Sequence, residues 1–362
     1  GYDPRMRVPG ILSLLAMILT SACGKSAPSP GPGVPLTLAE ERAARVSNLR
    51  YELFVSVPES HTEGVSGRVT VRFDLRDASK PLAFDFAGES AALDASSGAR
   101  AELTDEHLIV PASALREGAN ELTIEFRSAD APLNRNPEFL YALFVPARAR
   151  QAFPVFDQPD LKARYTLTLE IPAAWEAISN GAQTSRETNG NRATVRFAET
   201  QPISTYLFTF AAGRFQVEQG VRNEREFRML HRETDAVKVA RNRDAIFDLH
   251  AGALAWLEEY TGIPYPFGKF EFLLVPSFQF GGMEHPGAVY YNASGLLLDE
   301  SATQNQKLGR ASLIAHETAH MWFGDLVTMR WFNDVWMKEV FANFMAAKIV
   351  NPAFPEINHD LR

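Results

Sequence analysis

The sequence has one cysteine, no excess of basic residues and no apolar run of membrane-spanning length, and each absence excludes something. Cys23 alone cannot form a disulfide within the chain. The 36 lysines and arginines against 44 acidic residues give a net charge of −8, which argues against nucleic acid as the main partner because phosphate binding favours basic surfaces. The apolar run at residues 8–19 is shorter than the roughly 20 residues that a transmembrane helix needs.

The balance of residue types is that of an ordinary globular protein. Hydrophobic residues make up 46% of the 362 residues and charged residues 22%, so the chain can bury a large core. A chain of this length is expected to form two or three domains. The sequence contains no repeat of fixed period.

The first 23 residues have the layout of a secretory signal. Basic residues precede the apolar run, small residues follow it, and Cys23 comes next. This order resembles a bacterial lipoprotein signal, in which the cysteine is lipidated; an ordinary signal peptide cut near Ala22 is the alternative. We predict an exported protein, either anchored to the outer membrane of a Gram-negative cell through a lipid on Cys23 or periplasmic. Residues 24–36, rich in Ser, Ala, Pro and Gly, are predicted to be a linker.

Apolar and polar residues alternate with a period of two through residues 37–216. Such alternation is typical of half-buried strands, and turn-forming pairs such as Asn180-Gly181 and Asn189-Gly190 separate the segments. We therefore predict an N-terminal antiparallel β domain in this region.

Residues 217–362 are predicted to form a mixed α/β domain, which makes the fold class α+β. Apolar residues recur at helical spacing from residue 246 to 257, and a short strand follows at 270–275. Two further helices are predicted, at about 311–324 and 334–350.

The string His316-Glu317-Thr318-Ala319-His320 predicts a zinc site. Positions four apart lie on one face of a helix, so both imidazoles project the same way, with Glu317 near the same metal. A catalytic zinc needs a third protein ligand, and Glu339 in the next predicted helix can supply it, with Asp334 as the predicted N-cap. The alternative is a surface helix with two solvated histidines and a salt-bridging glutamate.

A second motif, Gly281-Gly282-Met283-Glu284, lies upstream of the predicted zinc helix. Paired glycines let another backbone approach closely, which suits an edge strand that pairs with a peptide substrate. Glu284 would then be a carboxylate beside the peptide. The alternative is a glycine-rich turn with one exposed acidic residue.

Together these motifs resemble the gluzincin aminopeptidases of the aminopeptidase N and leukotriene hydrolase type. That family has His-Glu-x-x-His, eighteen residues and Glu, with Gly-x-Met-Glu-Asn upstream, and this sequence has both in order. The resemblance runs from about Leu49 to the end. It is strengthened by the flanking segments 153–163, 202–207, 322–328 and 331–342.

The resemblance implies a role for each residue of these motifs. His316, His320 and Glu339 would bind one zinc ion per chain, and Glu317 would be the general base that activates a water molecule. Glu284 would bind the free α-ammonium group of a peptide substrate. The neighbouring substrate-binding residues would be Gly281, Gly282 and Met283. The implied fold of residues 217–362 is a thermolysin-like catalytic domain.

The sequence departs from the family pattern at several of these positions. His285 stands where Asn is usual, Asp325 and Lys338 also replace Asn, and Val340 replaces Gly. Many members carry a second residue that anchors the substrate amine, and residues 143–147 offer none.

The resemblance also implies that the chain stops before the catalytic domain is complete. Family members contribute a tyrosine from beyond the zinc glutamate to stabilise the oxyanion, and residues 340–362 contain no tyrosine. These 362 residues alone are therefore expected to be weakly active or inactive.

Other functions remain open at this stage. A thermolysin-like endopeptidase would tolerate blocked N-termini, and one branch of the family also hydrolyses epoxides. A tethered binding protein with a relic peptidase fold is the alternative from another class, although no ligand or base is missing. The sequence predicts no oligomeric state.

Overall fold

The computed structural model describes residues 31–94 and 100–357. The predicted signal peptide, Cys23 and most of the predicted linker lie outside the described residues. Among the residues described, no helix combines the length and the hydropathy that crossing a membrane requires.

The front half is a β domain that begins with helix α1 (Leu36–Arg45). Its strands are β1 (Val46–Ser56), β2 (Ser66–Leu75), β3 (Leu82–Asp85), β4 (Ser90–Asp94), β5 (Glu102–Thr104), β6 (His107–Val110), β7 (Gly118–Arg127), β8 (Phe139–Tyr141), β9 (Arg164–Pro172), β10 (Glu176–Ser179), β11 (Gln183–Asn189), β12 (Arg192–Phe197) and β13 (Phe210–Gly213).

A seven-stranded sheet in the order β11-β12-β9-β1-β2-β7-β4 is the centre of this domain. Three-stranded sheets β10-β13-β8 and β3-β6-β5 accompany it. The predicted N-terminal β domain is confirmed, and one of its pairings departs from the predicted antiparallel pattern, because β1 runs parallel to β9. Alternation shows which face of a strand is buried and not the direction of its neighbour, so the sequence could not reveal this.

A buried ion pair joins α1 to this domain. Arg42 donates to both carboxylate oxygens of Asp85, at 2.7 and 2.6 Å, and the backbone N–H of Asp157 donates to the same carboxylate at 2.8 Å. His107 Nε2 lies 3.1 Å from Asp85. We call Arg42, Asp85, His107 and Asp157 the Asp85 cluster; all four are buried.

The second half contains a five-stranded sheet and the longer helices. Its elements are β14 (Gln216–Arg222), β15 (Arg225–His231), α2 (Ala236–Thr261), β16 (Phe270–Val275), β17 (Gly282–Met283), β18 (Val289–Asn292), α3 (Ala293–Leu296), α4 (Gln304–His320) and α5 (Val335–Val350). The strand order is β14-β15-β16-β18-β17. The inner strands β15, β16 and β18 are parallel, and the edge strands β14 and β17 are antiparallel to their neighbours.

Strand β16 is buried on both faces and separates two hydrophobic cores. Leu273 and Val275 belong to the core of the β domain, whereas Phe270, Phe272 and Leu274 belong to the core beneath the helices. A strand buried on both faces is mostly apolar in sequence, and in β16 Glu271 is the single polar residue. The two halves of the chain are therefore packed against each other through a shared sheet.

The two helices that carry the predicted zinc ligands begin differently. Helix α4 starts at a capping box between Thr303 and Gln306, seven residues before the predicted start at 311, and ends at His320. The predicted cap of α5 is wrong, because the side chain of Asp334 makes no capping hydrogen bond. A 3₁₀ turn, Phe332–Asp334, leads directly into α5, and Asp334 (φ −98°, ψ 9°) lacks the extended conformation from which an N-cap side chain reaches back.

Candidate metal centre and active site

Helices α4 and α5 bring the three predicted zinc ligands together. The Nε2 atoms of His316 and His320 are 3.0 Å apart, on successive turns of one face of α4. Oε2 of Glu339, from the second turn of α5, lies 3.3 Å from Nε2 of His316 and 3.5 Å from Nε2 of His320. The sequence prediction of this cluster is matched by the geometry.

Hydrogen bonds on the far side of each ring orient both imidazoles. Nδ1 of His320 faces the carbonyl oxygen of Phe323 at 3.1 Å, and Nδ1 of His316 faces Oδ1 of Asn343 at 3.1 Å. A ring whose Nδ1 donates presents its Nε2 lone pair to the centre, as a metal-ligating histidine does. Sequence reasoning missed Asn343, although its position four residues after Glu339 places it one turn further along the same helix face.

The arrangement fits a divalent cation. Two Nε2 lone pairs and a carboxylate oxygen converge within 4.8 Å of one another, and such acceptors repel unless a positive charge lies between them. Nitrogen ligands with one carboxylate are a donor set that zinc accepts. A cavity of about 560 Å³ adjoins the three ligands, which leaves room for a substrate beside the metal.

Glu317 lies against the glycine motif, with its side chain buried. A Cβ added to Gly282 would fall 2.3 Å from Oε1 of Glu317 and 2.6 Å from its Cγ, so only glycine leaves room for this carboxyl group. At Gly281 an added Cβ would meet only the end of Leu313, at 3.2 Å. Gly282 therefore makes room for the side chain of Glu317, a role that the sequence did not reveal.

The surroundings of Glu317 raise the affinity of its carboxylate for a proton. Burial raises the pKa of its carboxyl group well above the usual range, and the negative charges of Glu284 and Glu339 add to this, while Lys338 opposes it. A carboxyl group with a raised pKa is the kind that exchanges protons with a substrate near neutral pH.

The glycine motif forms the edge strand that the sequence predicted. Gly282 pairs with Tyr291 and Met283 with Tyr290, and β17 has no further neighbour in the described sheet. The Met283 side chain is only 4% exposed and packs into the core of the β domain. Its side chain thus supports the strand, and any contact of Met283 with a substrate would come from its backbone.

Glu284 follows this strand and is paired with Lys338 of α5. Nζ of Lys338 donates to Oε1 of Glu284, and both side chains are buried. Burial alone would raise the pKa of Glu284, but the charge and hydrogen bond of Lys338, together with His320 and a backbone hydrogen bond, outweigh burial and lower that pKa to about 2. The sequence placed Lys338 beside the ligand Glu339 and did not predict this ion pair.

Two other residues that depart from the family pattern are buried near the site. His285 is fully buried, its ring centroid lies 4.7 Å from that of Tyr290, and burial lowers its pKa to about 3. Asp325 is also fully buried, and burial raises its pKa well above the usual range. Burial therefore disfavours the charged form of both residues.

Comparisons with known proteins agree with this geometry. Residues 47–207 match the profile described as the peptidase M1 N-terminal domain, and residues 246–361 match that of the peptidase family M1 domain. A leucyl aminopeptidase of Saccharolobus solfataricus is 34% identical over 215 residues, and aminopeptidase M1 of Arabidopsis thaliana is 36% identical over 219. A puromycin-sensitive aminopeptidase of Caenorhabditis elegans is 36% identical over 236 residues.

The aligned region is a limited part of these relatives. It covers 59% of this chain and 27% of the Saccharolobus protein, 59% and 24% for the Arabidopsis protein, and 64% and 24% for the Caenorhabditis protein. The chain thus spans about a quarter of the length of the curated relatives that it matches.

Proposed function

Because the chain belongs to peptidase family M1, we propose that the full-length protein is a zinc-dependent aminopeptidase that removes the N-terminal residue from peptides. The observation that carries the proposal is the convergence of His316, His320 and Glu339 beside the buried carboxyl group of Glu317. The names of the three relatives support the same activity, since each of them is called an aminopeptidase.

Two histidines and one glutamate would hold one zinc ion per chain. When bound there, zinc would supply a Lewis acid for the scissile carbonyl and lower the pKa of a water molecule towards about 7. Asn343 and the carbonyl of Phe323 hold the imidazoles in the tautomer that this requires.

Glu317 is the proposed general base and, later, the general acid. Its carboxylate takes a proton from the attacking water and passes it to the amine that leaves. Gly282 leaves room for this side chain, so the position of the base depends on the same strand that faces the substrate.

Strand β17 and Glu284 are proposed to fix the register of the peptide. A substrate in extended conformation would add to the free edge of β17 by backbone hydrogen bonds. Its α-ammonium group would reach Glu284, which limits cleavage to the first peptide bond. A blocked N-terminus offers Glu284 no ammonium group, so such a substrate forgoes a contact between charged groups that contributes about 1.5–3 kcal/mol.

The proposal is tested on the full-length protein with metal analysis and paired substrates. Protein purified without added metal should hold about one zinc per chain, and Glu339→Ala should lose most of it. Glu317→Gln should keep its zinc and lose about 10²–10⁴-fold in kcat. A leucine arylamide should be cleaved and its acetylated form should not, with Glu284→Gln raising KM for the free amine. Equal cleavage of both substrates would exclude an aminopeptidase.

We also propose that the protein is exported and lipid-anchored through Cys23. The support is the sequence of residues 1–23 alone, and several acyl chains give stable attachment where one does not. Cys23→Ala protein should leave the membrane fraction when cells are separated; a variant that stays there entirely would contradict the anchor.

A further inference from the structure

Lys338 occupies one oxygen of the carboxylate that the proposed function assigns to the substrate's α-ammonium group. Its Nζ donates to Oε1 of Glu284, and the two side chains are only 8% and 5% exposed. The other close neighbours of Nζ are Oε1 of Glu339, at 3.3 Å, and the ring of Tyr206, whose centroid is 5.0 Å away. Two carboxylates and an aromatic face all attract a cation, so the ammonium of Lys338 is held where they converge.

The remaining carboxylates of the cavity have other tasks. Those that line it among the described residues are Glu284, Glu317 and Glu339. In the proposed function Glu317 is the base and Glu339 is a metal ligand, which leaves Glu284 for the amine. An amine that enters the cavity therefore meets the Glu284 carboxylate when it is already paired with the ammonium group of Lys338.

The contacts of Lys338 allow its Nζ to move away from Glu284 without disturbing the predicted metal ligands. The histidine Nε2 atoms lie next to Oε2 of Glu339, whereas Lys338 lies next to Oε1 of the same carboxylate. Nζ can therefore leave Glu284 and keep its contact with Glu339. Displacement costs free energy nonetheless, because two ammonium groups that share one buried carboxylate repel each other in a medium of low dielectric constant.

We propose that Lys338 is a specificity-determining residue whose ammonium competes with the substrate's α-ammonium group for Glu284. This rests on the proposed function and deepens it. The competition weakens the binding of peptides with free amines and leaves the binding of uncharged N-termini unchanged. The enzyme thereby discriminates less between free and blocked termini than an enzyme with a neutral side chain at position 338.

The test measures binding without catalysis, in the zinc-loaded full-length Glu317→Gln protein. Calorimetry compares L-leucinamide with 4-methylpentanamide, which has the same side chain and amide and lacks the amine. Adding Lys338→Met, which keeps the apolar stem and removes the competing charge, should tighten L-leucinamide binding by about tenfold, which corresponds to about 1.4 kcal/mol. Binding of 4-methylpentanamide should not change.

Lys338→Arg is the matched control, because it keeps the positive charge and should keep the weak binding of L-leucinamide. Zinc content measured on each variant separates loss of metal from a change at Glu284. Unchanged or weaker L-leucinamide binding in Lys338→Met overturns the competition, and weaker binding would instead make Lys338 a residue that positions Glu284.

Failure of the proposed function has a different signature. It would appear with Lys338 intact, as cleavage that does not distinguish leucine arylamide from its acetylated form and that Glu284→Gln leaves unaltered. If Glu284→Gln does remove a preference for the free amine while Lys338→Met fails to tighten L-leucinamide binding, only the competition is refuted.

Discussion

Two clusters of ionisable groups among the described residues, the Asp85 cluster and the metal centre, are built in opposite ways. In the Asp85 cluster one carboxylate receives two bonds from Arg42 and one from the backbone of Asp157. At the metal centre, by contrast, acceptors face acceptors: the Nε2 atoms of His316 and His320 lie 3.0 Å apart. In the first arrangement the protein itself supplies the positive charge for the Asp85 carboxylate, whereas in the second a bound cation would supply it, as the proposed function requires.

We interpret the Asp85 cluster as a set of groups that stabilise the fold, and the metal centre as a set of groups that act in binding and catalysis. A cluster of the first kind loses stability when the cation that pairs with its central carboxylate is removed. A cluster that awaits a ligand loses function first, and its folding free energy changes less. The four predictions that follow test this contrast, each on the full-length protein.

The largest effect on stability is expected from Arg42→Met. The substitution leaves the Asp85 carboxylate buried without its bidentate partner, which typically costs about 3–5 kcal/mol. The urea midpoint should fall accordingly, with zinc content of the folded protein unchanged. Arg72→Met is the control, because that side chain is 45% exposed and pairs with Glu52 and Glu121 on the surface. A loss of no more than about 1 kcal/mol in both variants would contradict the contrast.

The next effect concerns pH and Asp157. Burial, and after it the charge of Asp85, raises the pKa of Asp157 from 3.8 to about 7. Between pH 3.8 and about 7 the folded protein holds a proton on Asp157 that the unfolded chain has released. The free energy of unfolding therefore falls as the pH rises through this range, and it stays lowered by the full amount above about pH 7. Asp157→Asn abolishes the ionisation and should be more stable relative to wild type at pH 8 than at pH 4.

Between pH 4 and pH 8 the stability of Asp157→Asn relative to wild type should rise by at most about 4 kcal/mol, which corresponds to a shift of about three pKa units. Thermal unfolding at both pH values measures it, with the exposed Asp130→Asn as the control. The pKa of Asp85 is shifted in the opposite direction, because its partners outweigh its burial. The stabilisation that Asp85 contributes is therefore lost only as the pH falls below the usual pKa of an Asp side chain. This lies below the pH range in which Asp157 changes the stability. A pH-independent difference would refute the role of Asp157.

A third prediction compares the two glycines of the edge strand. Gly282→Ala places a methyl group against the Glu317 carboxyl and should displace it, and a displacement of about 1 Å costs about 10²-fold in kcat. Gly281→Ala meets only the flexible end of Leu313, so it should lose much less activity. Both proteins should unfold at nearly the same urea concentration. Equal kcat values in the two variants would show that Gly282 does not make room for the base.

The smallest effect is expected from Asn343→Ala. Without the Oδ1 acceptor the His316 ring loses its orientation, and such a loss typically lowers metal affinity by 10–100-fold. Competition with a chromogenic chelator measures the zinc Kd. Asn343→Asp keeps an acceptor at the same place and should retain the affinity of the wild type. If both variants bind zinc equally well, the hydrogen bond contributes nothing to the site.

The parts of the site that one helix encodes could be predicted from the sequence. His316 and His320 share a face because they are four residues apart, and Glu339 falls in the next predicted helix. The sheet neighbours of each strand could not be predicted, and the parallel pairing of β1 with β9 was missed for that reason. The ion pair between Glu284 and Lys338 and the Asp85 cluster join residues that are distant in sequence, and nothing local in the pattern reveals them.

Strand β16 has a consequence for how the molecule unfolds. Its odd-numbered members Leu273 and Val275 complete one core while its even-numbered members complete the other, so neither core can open without exposing the same strand. The two halves should therefore melt in one cooperative transition and exchange their most protected amides together. Cleavage near residue 216 would yield two pieces, each with an apolar face and neither stable by itself. The change from strand to helix patterning near residue 216 thus marks a change of architecture. It does not mark a position at which the chain can be divided into two stable fragments.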